Sequence, residues 1–97
     1  MSITIKDAAD IEGMRVACSL ASEVLDYIAP HIQPGITTAE IDRLGAECMA
    51  QQGTISATIG YQPPGYPAYP ASLCTSVNRV VCHGIPNDKP LKKGDIV

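Results

Sequence analysis

Eleven residues in the middle of the chain, Gly60-Tyr61-Gln62-Pro63-Pro64-Gly65-Tyr66-Pro67-Ala68-Tyr69-Pro70, hold four prolines and three tyrosines. Each proline fixes its own φ and removes an amide donor, so this stretch is neither helix nor regular sheet. It is a stiff loop. Rigid tyrosines on such a loop make a wall for an apolar pocket, each offering a large face at low entropic cost. The competing reading is a polyproline-like segment held by a partner. Pro64, Pro67 and Pro70 have the spacing for that, but flanking basic residues are missing.

Before the loop the apolar spacing is helical. Ile11, Met14, Ala17, Cys18, Ala21, Val24, Leu25, Ile28 and Ile32 recur at three and four positions, which predicts an amphipathic helix from about residue 8. Asp7 can cap it, and Asp10 and Glu12 suit the dipole of its first turn. Pro30 ends or kinks it near residues 27 to 29, and Pro34-Gly35 is a turn. Thr37 and Glu40 have capping-box spacing, which opens a second helix with Ile41, Leu44 and Cys48 on its apolar face and Gly53 as its C-cap. Glu40, Asp42 and Glu47 read as a solvated face of this helix rather than a carboxylate site. Gly45 inside it costs about 1 kcal/mol relative to alanine.

The other segments read as extended. Ser2 to Lys6 alternates polar and apolar residues, and Thr54 to Ile59 is rich in β-branched ones. Leu73 to Val77 and Val80 to His83 form two short strands joined by a turn at Asn78-Arg79, which predicts a β-hairpin near Cys74 and His83. Asn87-Asp88-Lys89-Pro90 and Lys93-Gly94-Asp95 are turns, and Ile96-Val97 starts a further strand. His83, with Gly84 and Pro86 enforcing the backbone after it, is the notable polar side chain. An imidazole there is either a sheet-edge cap or a proton-transfer group.

At 97 residues the chain is one domain at most, and such a domain buries only about two-thirds of the surface its unfolded chain exposes. With no Trp and no Phe, its core is thin. Residues 1–50 carry three basic and eight acidic side chains and residues 51–97 four and two, so neither half has the basic patch of a nucleic-acid binder. The four cysteines lack CxxC spacing. No apolar h-region marks a signal peptide, and no apolar run reaches the roughly 20 residues that span a bilayer. Reduced thiols and a cytoplasmic location are expected.

The wording of several stretches carries a resemblance: Asp10-Ile11-Glu12 and Met14-Arg15-Val16-Ala17, Pro34-Gly35-Ile36-Thr37-Thr38-Ala39-Glu40-Ile41-Asp42, Tyr69-Pro70-Ala71-Ser72-Leu73-Cys74-Thr75-Ser76-Val77-Asn78, Val80-Val81-Cys82-His83-Gly84-Ile85-Pro86, and Leu91 to Val97. In this order and spacing they resemble the N-terminal part of type I, bacterial-type methionine aminopeptidases. The resemblance implies an α/β (α+β) class and the N-terminal portion of a pita-bread fold: two helices, a β-hairpin and part of an antiparallel sheet. Residues 1–97 would be part of one M24-like peptidase domain.

The implied reaction is metal-dependent removal of the initiator methionine from new polypeptides, with divalent Co, Mn, Fe or Zn polarising the scissile carbonyl and activating water. Carried over by position, His83 contacts the scissile amide as the catalytic and substrate-binding histidine. Tyr61, Tyr69 and Cys74 line the pocket for the methionine side chain, and sulfur packs well against aromatic rings. Thr58 stands where many members have cysteine, Cys18-Ser19 where they usually have Gly-Arg, and Gly45 is a further departure. Asn78 and Val80 match positions that hold a monovalent cation in some members. Partners implied are the N-terminal methionine of nascent chains and, for whole members, the ribosome.

The family's metal ligands are matched by none of Asp88, Asp95, His31 or His83, and His31 reads as a surface residue. The chain as given is therefore expected to be inactive alone. Two other readings stay open: a non-catalytic fragment or paralogue that binds N-terminal methionine peptides or a partner protein, and a related proline-specific aminopeptidase. Strand starts and apolar helix faces without partners would favour association.

Overall fold

The computed structural model describes residues 2–97. Helix α1 spans Ala8–Ile28, a short 3-10 turn covers Ala29–His31, and helix α2 spans Thr38–Gln52. The start of α1 is fixed by a reciprocal acidic cap. The Asp10 amide donates to Asp7 Oδ1 at 2.8 Å, and the Asp7 amide donates to Asp10 Oδ2 at 3.0 Å. Two orphan amides of the first turn are thereby satisfied. Pro30 falls in the first turn of the 3-10 segment, where its missing amide costs nothing.

Helix α2 opens with half of the expected capping box. The Glu40 amide donates to Thr37 Oγ1 at 3.1 Å, but the Glu40 carboxylate faces away to accept a forked pair from Arg43 at 2.7 and 2.8 Å. A bidentate guanidinium outcompetes a single backbone amide for that carboxylate. The helix ends in a Schellman arrangement: Gly53 is left-handed at φ 73°, its amide reaches the Ala50 carbonyl, and the Thr54 amide reaches that of Met49 at 2.9 Å.

The core is thin and lies around α2. Ile41, Leu44, Gly45 and Cys48 are buried along it, with Val24 from α1 and Ala71, Ser72, Thr75 and Leu91 from the second half. Gly45 admits the second half here, because a Cβ at that position would meet Leu73 Cδ1 at 2.7 Å. Beside it, Asp42 Oδ1 accepts the Leu73 amide at 2.7 Å. Asp42 is thus half-buried and structural, not part of a solvated face.

The expected β-hairpin and part of an antiparallel sheet are not there. Among the described residues there is no strand, and Thr37 and Pro90 form an isolated antiparallel bridge. Extended segments do meet, but without forming a ladder: the Gly35 amide on the Leu91 carbonyl at 2.8 Å and the Leu91 amide on that of Ile36 at 2.7 Å, the Thr75 amide on the Gly84 carbonyl at 2.7 Å, and the Asn78 amide on that of Ile96 at 2.9 Å. Two causes act together. Asn78 and His83 turn left-handed at φ 53° and 54°, and serine hydroxyls compete for amides a neighbouring strand would take. Ser56 converts the expected strand at 54–59 into a turn, since its Oγ accepts the Thr58 and Ile59 amides at 3.0 and 3.4 Å. The Asn78-Arg79 turn is present, closed by the Val80 amide on the Val77 carbonyl at 3.1 Å. Near the N-terminus Ile3 and Ile5 belong to no helix or strand and are almost wholly exposed.

The molecule measures 46 × 34 × 22 Å with a radius of gyration of 15.3 Å. A closed domain of this length would have about 12–13 Å. The excess matches the exposed apolar side chains of α1, among them Ile11, Met14, Val16 and Leu25. No helix is long and apolar enough to cross a membrane among the described residues.

Candidate functional site

Of the four side chains singled out in the sequence, that of Tyr69 is hydrogen-bonded to the Leu73 and Gly84 carbonyls, and a backbone bond ties its segment to that of Tyr61. At the base of the proline-rich loop the Gly60 amide donates to the Tyr69 carbonyl at 2.8 Å, and the Tyr69 amide donates to the Tyr61 carbonyl at 2.7 Å. Tyr61 and Tyr69 therefore flank the loop's mouth. Within it, Tyr66 and Pro63 close a turn and Gln62 Nε2 holds the Tyr66 carbonyl at 3.0 Å. Tyr61 is 64% exposed, whereas Tyr69 is half-buried.

The Tyr69 hydroxyl is directed inward. It lies 2.9 Å from the Leu73 carbonyl oxygen and 3.1 Å from that of Gly84, a forked donation that uses its proton on backbone. Burial, then the adjoining Cys74 thiol, pushes the phenol up to about 12. Tyr69 can therefore offer an approaching group its ring face but not a free hydroxyl proton.

Gly84 is the hub of the site. Its carbonyl accepts the Thr75 amide at 2.7 Å as well as the Tyr69 hydroxyl, and its amide donates to Ser76 Oγ at 3.0 Å. The two segments approach so closely that a Cβ on Gly84 would lie 2.3 Å from the Thr75 carbonyl oxygen. Cys74 and His83 are the exposed residues immediately before this Thr75-Gly84 contact on its two segments. His83 sits at φ 54°, a conformation that non-glycine residues adopt at a cost of about 1–3 kcal/mol and that clusters at functional sites.

Thr75, Ser76, Gly84 and Asp42 were not among the side chains the sequence singled out as a site. Their contribution passes through backbone groups, and only the small residues Ser76 and Gly84 in adjoining extended runs hint at it. Asn78 uses both ends of its amide internally, on Asp95 Oδ1 at 2.9 Å and on the Ile96 amide at 3.1 Å. That contact, with the Lys92 amide, holds the Asp95 carboxyl below the usual carboxylate range. Thr58 is half-buried in the Ser56 turn. His31 is exposed at the end of the 3-10 turn, with Nδ1 3.2 Å from the Tyr27 carbonyl.

All four cysteines are free, with Cys48 buried. Among the described residues no three His, Cys, Asp or Glu side chains gather into a set that could hold a metal ion. A divalent metal needs several such donors, so these residues do not fit one and no metal-borne step is assigned to them.

Residues 12–97 match the model of metallopeptidase family M24. The chain is 54% identical over 99 aligned residues to the methionine aminopeptidase of Salmonella typhimurium, covering all of this chain and 36% of that protein. It is 43% identical to methionine aminopeptidase B of Synechocystis, covering 98% of this chain and 35% of that one. Its structure resembles the crystal structure of methionine aminopeptidase from Rickettsia prowazekii with a TM-score of 0.89 at 44% identity, over 97% of this chain and 36% of the other. The chain thus spans about a third of the length of the curated relatives it matches.

Proposed function

Because the chain belongs to metallopeptidase family M24, we propose that it carries the methionine-recognising side of a metal-dependent aminopeptidase that removes N-terminal methionine from polypeptides. The observation that carries this reading is His83, an exposed imidazole on a left-handed residue whose following peptide is tied to Ser76, Thr75 and Tyr69. Strain kept at such a residue has a use when the side chain must point where an ordinary strand would not aim it. In this reading His83 donates a hydrogen bond to the scissile amide and steadies the tetrahedral species. The exposed face of Tyr61, the ring of Tyr69 and the Cys74 thiol receive the thioether of the substrate, where soft sulfur packs against aromatic and thiol surface.

Hydrolysis by this family calls on divalent metal, whose donors these residues do not supply. Turnover is accordingly assigned to the whole protein, and residues 1–97 by themselves are expected to bind substrate without cleaving it. The test is steady-state kinetics on a methionyl peptide with the intact protein expressed from its own gene. His83→Ala should lower kcat by roughly two orders of magnitude, as loss of a transition-state donor does, with metal content unchanged. Equal kinetics for the two proteins sinks the role given to His83. An intact protein that binds methionyl peptides yet never cleaves them would instead establish the binding reading.

A further inference from the structure

We propose that Ser76 is a positioning residue for His83, setting the direction of its imidazole through the peptide between His83 and Gly84. This rests on the reading of His83 as the substrate-facing histidine. Only Asn78 and His83 among the described non-glycine residues have positive φ. Asn78 has a local reason: its short side chain bonds to the Ile96 amide and to Asp95. His83 has no such compensation, because no hydrogen bond holds its ring among the described residues. The conformation must be held from outside the residue.

The peptide that follows supplies the hold. The Gly84 amide belongs to the same rigid plane as the His83 carbonyl, so holding that amide restrains ψ of His83. Ser76 Oγ accepts it at 3.0 Å, from a hydroxyl and not from the carbonyl a sheet neighbour would present. On the other side of Gly84 the carbonyl is gripped by the Thr75 amide at 2.7 Å and the Tyr69 hydroxyl at 3.1 Å. These bonds, with a longer one from Thr75 Oγ1 at 3.4 Å, anchor the glycine. The serine bond orients the peptide plane that leads to the imidazole, and without it ψ of His83 is free to drift.

Small misplacement of a catalytic group lowers the rate more than it lowers binding. Ser76→Ala in the intact protein should therefore reduce kcat about tenfold or more on a methionyl peptide, with KM changed less than about threefold. Ser76→Thr, which keeps the hydroxyl, should recover most of the loss. In a His83→Ala background the same Ser76→Ala change should have little further effect, because the serine acts through the missing ring. An equal loss in both backgrounds would overturn the proposal in favour of a purely structural serine. The N–H residual dipolar coupling of Gly84 reads the peptide plane directly and should move in Ser76→Ala but not in Ser76→Thr. An unmoved coupling also overturns it. Should His83→Ala leave turnover intact, the reading of the site fails, while the coupling still decides whether Ser76 orients the peptide.

Discussion

Replacing Gly84 by alanine should unfasten the site from its scaffold. The new methyl would lie 2.3 Å from the Thr75 carbonyl oxygen, 2.7 Å from its carbon and 2.8 Å from Ser76 Cα. All three are backbone atoms, so no side-chain rotation relieves the clash. Ordinary carbon contacts lie at about 3.5–4.0 Å, and the two segments must part by roughly an ångström to reach them. That distance is enough to break the Thr75 amide bond, the Tyr69 hydroxyl bond and the Ser76 bond, now 2.7, 3.1 and 3.0 Å. Each is worth about 1 kcal/mol net, so their loss totals about 3 kcal/mol. The smaller entropy of the unfolded alanine chain returns about 0.4–1 kcal/mol. The net expectation is a destabilisation of about 2–3 kcal/mol. With a urea slope of about 1 kcal/mol per molar, the midpoint should fall by about 2 M, and the Thr75 amide should exchange much faster with solvent. A midpoint within about 0.3 M of the parent, with Thr75 still protected, would refute the claim that these two backbones are locked in contact.

Two further outcomes follow from groups at the edges of the same arrangement. The Tyr69 phenol is raised from its usual 10 to about 12 in the folded state, so the folded protein holds its proton more tightly than the unfolded chain. Its contribution is complete below pH 10 and is lost as pH rises through 12. Urea midpoints across that range should fall more steeply for the parent than for Tyr69→Phe, and parallel curves would count against an inward-facing hydroxyl. Gly53→Ala meets no steric neighbour but forces alanine into φ 73°, which should cost about 1 kcal/mol in thermal or urea unfolding. No loss there would mean that α2 ends differently in solution.

Both helices could be read from the residues because their signals are local. Asp7, Thr37 and Gly53 act within one turn of where they stand, and three-and-four spacing needs no knowledge of a partner. The sheet was misread because β-branched composition describes a surface that suits pairing without saying what it pairs with. At Ser56 and Ser76 the decisive competitor was a hydroxyl, and at His83 it was a left-handed turn that a β-rich neighbourhood gives no sign of. For the candidate site the residues supply names alone, Tyr61, Tyr69, Cys74 and His83, through the wording around them. The bonds around Tyr69 and Gly84 cannot be foreseen from those names, because they run through the Gly84 and Leu73 backbone. Gly45 shows the same limit from the other side. In the sequence it is a costly residue inside a helix, and in the fold it is the space Leu73 occupies.

The exposure of α1 bears on how the molecule comes apart. Val24 is the only buried residue of its 21, and Gln52 at the far end of α2 clasps α1 at the Leu20 carbonyl and Glu23, both at 3.1 Å. Among the described residues, the side-chain hydrogen bonds that reach α1 from α2 and its one buried side chain thus lie in its C-terminal half. The turns around Ile11 to Val16 rest on their acidic cap and local bonds alone, and a helix that short is marginal in water by itself. On warming, the helix should melt as a zipper opening from Ala8 toward Leu20, with ellipticity drifting down well before the core around Ile41 and Leu44 gives way.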